Sequence, residues 1–96
     1  MTFDPPDPVP LPINGELDLH TFSPKEVGSL LREYIQECVQ RDIFNLRIVH
    51  GKGTGTLRKR VVAVLDKHPL VVRHEPGGYR GGGWGATLVE LKKSDP

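Results

Sequence analysis

Seven apolar side chains recur at Val27, Leu30, Leu31, Tyr34, Ile35, Cys38 and Val39, in steps of one, three and four residues. That spacing draws one continuous stripe down an α-helix. A helix that is apolar on a single face must bury that face against another element, so the stripe commits the chain to a layered fold. Its start is marked by Ser23 as N-cap, Pro24 in the first turn and Glu26 to complete a capping box, and its end falls near Arg41. A second pattern, Leu57, Val61, Val64 and Leu65, predicts a helix from about Thr56 to Lys67, stopped by Pro69.

Short runs that alternate or are rich in branched residues lie between and around these helices, at Glu16–His20, Leu46–Val49 (ending at His50), Leu70–Glu75 and Ala86–Leu91. The order β-α-β-α-β-β predicts an α/β two-layer sandwich, a four-stranded mixed sheet with two helices on one face. Strands joined through helices are expected to run parallel with right-handed crossovers, and the last two antiparallel through a long glycine-rich hairpin. Residues 1–15 carry Pro5, Pro6, Pro8, Pro10 and Pro12. Proline fixes φ and lacks a backbone donor, so this segment is expected to be an extended arm, laid on the domain through Val9, Leu11 and Ile13. The folded domain is assigned to 16–92 and a tail to 93–96. A chain of 96 residues suits one domain with one modest core, which leaves any site on the surface or in a shallow cleft.

Composition excludes several classes. The single cysteine, Cys38, rules out a disulfide scaffold or a thiolate zinc site within one chain and falls on the apolar stripe as a small core hydrophobe. No basic segment followed by an apolar run opens the chain, and no stretch approaches the roughly 20 apolar residues of a membrane span, so a cytoplasmic protein with no membrane contact is expected. Net charge is only +1, but its distribution is uneven. Residues 1–24 hold Asp4, Asp7, Glu16 and Asp18 and no Lys or Arg, whereas residues 43–65 hold Arg47, Lys52, Arg58, Lys59 and Arg60 and no acid. A local basic segment can bind phosphates in a nearly neutral protein, although a solvated helix face has the same composition.

Three groups of residues can carry chemistry. Asp18-Leu19-His20 ends the first strand, with both polar side chains opposite Leu17 and Leu19; a carboxylate beside an imidazole orients it for acid–base work, or merely shapes a turn. His50-Gly51-Lys52-Gly53-Thr54-Gly55 joins the second strand to the second helix, where free backbone N–H groups and the positive dipole end attract anions and glycines allow close approach. Lys52, Arg58 and Lys59 would add charge, and Thr54 or Thr56 a hydroxyl. The loop fits neither a Walker A loop nor a dinucleotide fingerprint, since its glycines fall at 51, 53 and 55. If the two strands are parallel, His20 and His50 come to one sheet edge, where two imidazoles can serve as base and acid in cleavage through a 2′-OH. Strict alternation, however, places His50 on the side of Leu46 and Ile48, which also suits a structural histidine. The third group is Gly81–Thr87, in which Trp84 can stack on an unpaired base or cover a core edge, with Tyr79 and Arg80 beside it. His68 and His74 show no ligand spacing and receive no role.

Three segments in order resemble the Smr (small MutS-related) domain family: Leu17-Asp18-Leu19-His20, then Ile48 through Arg58 with its His-Gly-Lys-Gly core, then Gly82 through Leu91 with Gly-Trp-Gly-Ala-Thr. The likeness covers about residues 16–92. It implies a fold like the C-terminal domain of bacterial translation initiation factor three, and endonuclease activity on RNA or on branched or single-stranded DNA, in settings that include ribosomes. The family's Asp-x-His motif falls on Asp18 and His20, and its H-G-x-G loop on His50, Gly51 and Gly53. Thr21 departs from the family, which usually has Gly after the first His. The resemblance therefore implies catalytic roles for Asp18, His20 and His50, and phosphate or nucleic-acid contacts at Gly51, Lys52, Gly53, Thr54, Gly55, Arg58, Lys59 and Trp84. No cofactor is required on this reading; a divalent metal is possible, although one carboxylate and one His make a poor magnesium site. A binding module without catalysis, for nucleic acid or the ribosome, uses the same basic loop. A small-molecule phosphate binder is the third reading.

Overall fold

The structure, a computed structural model, describes residues 13–51, 55–77 and 85–93. Its elements are β1 (Glu16–Asp18), α1 (Pro24–Gln40), β2 (Asn45–Val49), α2 (Thr56–Lys67), β3 (Val71–Pro76) and β4 (Ala86–Leu91). The strands form one mixed sheet in the order β1-β2-β4-β3. β1 and β2 are parallel, as a helical crossover requires, and β4 is antiparallel to both β2 and β3. The arm's Val9 and Leu11 lie outside the described residues, while Ile13 packs against the core.

Register decides which side chains face the helices. Leu17 lies opposite Ile48, Ile48 opposite Thr87, and Leu46 opposite Val89, so one face of the sheet presents a connected apolar patch. Against it pack Val27, Leu31, Tyr34, Ile35 and Cys38 of α1 and Val61 and Leu65 of α2, all buried. Leu30, Val39, Leu57 and Val64 close the margins of the same cluster. Burial pushes the Cys38 thiol up, in keeping with a core role. The opposite face carries polar pairs, Glu16 with Arg47 and Arg73 with Glu90, the latter at 2.8 Å. On an exposed sheet surface such pairs contribute little, about 0–1 kcal/mol each.

Element ends differ from the sequence reading for local reasons. β1 stops at Asp18, two residues early, because the next ladder partners are taken: the Leu19 carbonyl accepts the Phe22 N–H at 2.9 Å and the Gly51 N–H donates to the Gly85 carbonyl. Ser23 is the N-cap of α1, but its side chain makes no cap hydrogen bond, so the expected capping box does not close; its backbone carbonyl instead accepts from the Glu26 N–H at 3.0 Å. At the other end Asp42 adopts φ 60°, and the N–H groups of Ile43 and Asp42 return to the carbonyls of Cys38 and Val39. This is a Schellman cap with Asp where Gly is usual, and aspartate is among the few residues that tolerate the left-handed region. Gly15 enters the fold at φ 95°; a Cβ there would lie 3.2 Å from the Asn45 carbonyl oxygen. Its N–H donates to the Tyr34 hydroxyl and its carbonyl accepts from Arg47, which fixes where the chain meets α1 and β2. In β3 the register shifts between Val71 and Arg73, leaving Val72 as a bulged residue outside the core.

Candidate functional site

The tips of β1 and β2 lie side by side because the two strands are parallel neighbours. Just past β1, Leu19 is fully buried and its N–H still donates to the Val49 carbonyl at 2.7 Å, so Asp18 and His20 on either side turn outward. One oxygen of Asp18, Oδ1, accepts both the His20 backbone N–H at 3.0 Å and the His20 ring Nδ1–H at 2.6 Å. A carboxylate can only accept, so the neutral imidazole carries its proton on Nδ1 and leaves Nε2 as a free lone pair. The side chains are 60% exposed for His20 and 54% for Asp18, so the pair stands in solvent. The ring hydrogen bond from His20, then the backbone one, holds the Asp18 carboxyl below its ordinary value.

A lowered folded-state value stabilises the fold above the ordinary carboxylate pKa, and that contribution fades as the pH falls through the folded value. We expect wild type to resist urea better than Asp18→Asn at pH 7 and the two to converge only at a pH below the ordinary carboxylate value. Urea midpoints at both pH values measure this; a gap that persists at low pH would show that the carboxylate's charge is not its origin.

His50 follows β2 on the helix-facing side. It is 3% exposed, and both ring nitrogens are engaged. Nδ1 lies 3.0 Å from the Gly51 carbonyl oxygen and Nε2 2.9 Å from the Thr87 hydroxyl. Because a carbonyl only accepts, Nδ1 donates to it, and in the neutral ring Nε2 accepts from Thr87. The backbone N–H groups of His50 and Gly51 both donate to the Gly85 carbonyl, each at 2.9 Å. The residue thus ties the end of β2 to the start of β4.

Beyond the two tips, α2 begins at Gly55, whose φ of 88° only glycine adopts readily and whose lack of a side chain leaves the helix start without a side-chain cap. A cleft of about 470 Å³ is lined by His20 and His50, by Phe22 and Pro24, by Gly51 and Gly55, and by Thr56, Leu57 and Arg58. The two histidines therefore border one space, together with an uncapped helix start and an exposed guanidinium. Lys59 is exposed but does not line the cleft. Lys52, Gly53, Thr54, Tyr79, Arg80 and Trp84 lie outside the described residues. Thr21 is exposed, and Asp42 is the only non-glycine with positive φ among the described residues, so the turn after His20 does not demand glycine. No three His, Cys, Asp or Glu side chains among the described residues gather as a metal site; a cation at Asp18 would complete its shell with water or phosphate oxygens. Among the described residues no helix is long and apolar enough to cross a membrane.

Phe22 and Pro24 join the site without having been singled out for it, and Thr87, the end of the third group, enters as the partner of His50. Thr87 meets His50 only through the pairing of β2 with β4, across 37 positions of sequence, which no local pattern encodes. His74 and His68 have structural partners: His74 Nε2 pairs with Asp66 of α2 at 2.7 Å, and His68 Nδ1 accepts the Leu70 N–H at 3.1 Å.

These features define a small two-layer α/β domain with a carboxylate–imidazole couple at its strand tips. The chain belongs to the Smr domain family, whose sequence pattern matches residues 17–92. It is 39% identical over 80 residues to the endonuclease MutS2 of Clostridium botulinum (strain Loch Maree / Type A3) and 40% identical over 80 residues to that of Finegoldia magna. Each match covers 83% of this chain and 10% of the relative, so the chain spans about a tenth of the length of these curated proteins. The crystal structure of the Smr domain of Thermus thermophilus MutS2 superposes with a TM-score of 0.77 at 29% identity, over 82% of this chain and 99% of that one. YdaL, a stand-alone small MutS-related protein from Escherichia coli, gives 0.77 at 26%, over 82% and 65%.

Proposed function

We propose that this chain is a nucleic-acid endonuclease domain, with His20 as general base and Asp18 as the group that orients it. The observation that carries this reading is the double use of Asp18 Oδ1, which locks the His20 tautomer and leaves Nε2 open beside the start of α2. The names of the MutS2 relatives, endonucleases, support it. A phosphate at the cleft meets backbone N–H groups at the positive end of the helix dipole, and Arg58 adds a full charge. His20 Nε2 then takes the proton of the attacking oxygen. With RNA that oxygen is the neighbouring 2′-OH: the O–P bond forms, the bond to the 5′-oxygen breaks, that oxygen takes a proton from solvent, and the products end in a 2′,3′-cyclic phosphate and a 5′-hydroxyl. With DNA the attacking oxygen is water's: its bond to phosphorus forms, one bridging O–P bond breaks, and the released oxygen takes a proton from solvent to leave as a hydroxyl. Lys52, Gly53, Thr54, Lys59 and Trp84 are proposed as contacts to the same substrate on sequence grounds, and Gly51 and Gly55 as loop positions that admit the phosphate.

His50 is assigned a positioning role within this proposal, since its ring has no nitrogen left for proton transfer while Gly51 and Thr87 hold it. The same observation favours a second reading, a binding module without catalysis, because only one imidazole at the cleft is then open. Labelled RNA and branched DNA, incubated with the wild-type chain and analysed for product termini, decide between them. We expect cleavage, and with RNA a cyclic-phosphate end. Salt-dependent binding with no cutting above background would leave only the binding module. On either reading Arg58→Ala should make the dependence of affinity on salt shallower by about one phosphate contact.

A further inference from the structure

A second basic surface lies away from the cleft. Between α1 and α2 runs a groove of about 640 Å³, bordered by Lys25 and Arg32 on one helix and Arg60 and Lys67 on the other. All four are exposed, and none is in an ion pair among the described residues, whose ion pairs lie elsewhere. Glu33 is the one carboxylate on the groove wall among the described residues. His68, also on the wall, adds no charge: burial, then the Arg32 cation, holds it below its ordinary value, and its Nδ1 is occupied by the Leu70 N–H. The floor is open at Gly28, where a Cβ would come within 3.4 Å of the Arg32 guanidinium, so Arg32 lies back over bare helix backbone.

The spacing states what kind of anion fits. Lys25 and Arg32 are seven residues apart, as are Arg60 and Lys67, which places each pair on one helix face about 10 Å apart. Four cations spread along two helices match a polyanion, since phosphates follow one another every 3.4 Å or so along each duplex strand. An acidic protein would need buried aromatic or aliphatic anchors, and among the described residues this groove offers only Ala63, Val64 and Pro69. The groove begins beside the site: at the start of α1, Pro24 borders the cleft and the next residue, Lys25, borders the groove.

We infer that the groove between α1 and α2 is a second track for the sugar–phosphate backbone, holding the flank of the same nucleic acid whose target phosphate sits at the start of α2. This rests on the reading proposed above. The test is fluorescence anisotropy with a labelled thirty-base-pair duplex across a salt series. It compares wild type, Arg58→Ala and the quadruple variant Lys25→Ala/Arg32→Ala/Arg60→Ala/Lys67→Ala, with circular dichroism to confirm folding. The quadruple variant should lose at least tenfold in affinity at low salt and flatten the log–log salt slope by about 3.6, at roughly 0.9 per phosphate contact. The double variant Arg32→Ala/Lys67→Ala should show about half that change and covers the case in which the quadruple variant folds poorly. If wild type binds and Arg58→Ala flattens the slope while the groove variants superpose on wild type, the second track is overturned and the proposed function stands. If wild type shows no salt-dependent binding, both fall. If polyglutamate is held through the groove and the duplex is not, the groove belongs to an acidic protein and the inference is overturned.

Discussion

His20→Ala is expected to lower strand cleavage by about 10²–10⁴-fold, the range that a positioned general base contributes. Affinity for the same substrate should stay within about twofold, because His20 is proposed to move a proton and the phosphate is held by α2 and the basic side chains. The fold should survive the change. The ring is mostly in solvent, its one hydrogen bond among the described residues is to Asp18, and the backbone N–H that Asp18 also accepts remains in the alanine variant. Exposed substitutions of this kind usually alter stability by no more than about 0.5 kcal/mol. Cleavage, anisotropy and thermal unfolding on one preparation therefore separate three causes. A variant that still cuts at the wild-type rate would remove His20 from the chemistry. A variant that neither cuts nor binds would make it a binding group.

Most of the fold was legible because its signals are local. The stripe from Val27 to Val39 carries a period of 3.6, and every member of it is in the core or against it. The alternation of Leu17 and Leu19 with Asp18 and His20 placed two side chains inside and two outside, as found. What sequence did not show depends on partners distant along the chain. That β4 inserts between β2 and β3 is a choice among edges, and each edge offers a similar row of amides and carbonyls. The bulge at Val72 and the Schellman cap at Asp42 trade one hydrogen-bond pattern for another of similar energy. The capping box failed in the same way: Ser23 has the right residue type, but its backbone carbonyl, not its hydroxyl, meets the first turn.

The candidate site divides along the same line. Parallel pairing of β1 with β2 was inferable from the helix between them, and it brings His20 and His50 to one cleft. Alternation also warned that His50 would point inward with Leu46 and Ile48, and it does. That its ring would find Thr87 was not readable, since the contact follows from the β2–β4 register. The groove cations were visible as residues but not as a surface, because their meaning depends on α1 and α2 lying side by side.

Ile48→Ala is expected to cost about 2–5 kcal/mol, the range for truncating a well-packed isoleucine. Ile48 is fully buried, sits across from Leu17 on one side and Thr87 on the other, and so is the joint between β1, β2 and β4. A loss of that size is a large share of the 5–15 kcal/mol typical of a domain. At roughly 4–8 °C per kcal/mol for a chain this short, the melting temperature should fall by more than 8 °C. Val72 provides the control, being a branched apolar residue in the same sheet, yet 55% exposed at a bulge. Val72→Ala should change stability by no more than about 0.5 kcal/mol. Equal losses in the two variants would mean that strand propensity, rather than burial at the joint, sets the cost. A loss confined to Ile48→Ala would place the stability of the site in the layer of side chains directly beneath it, since Thr87, the neighbour of Ile48, is also the residue that holds the His50 ring.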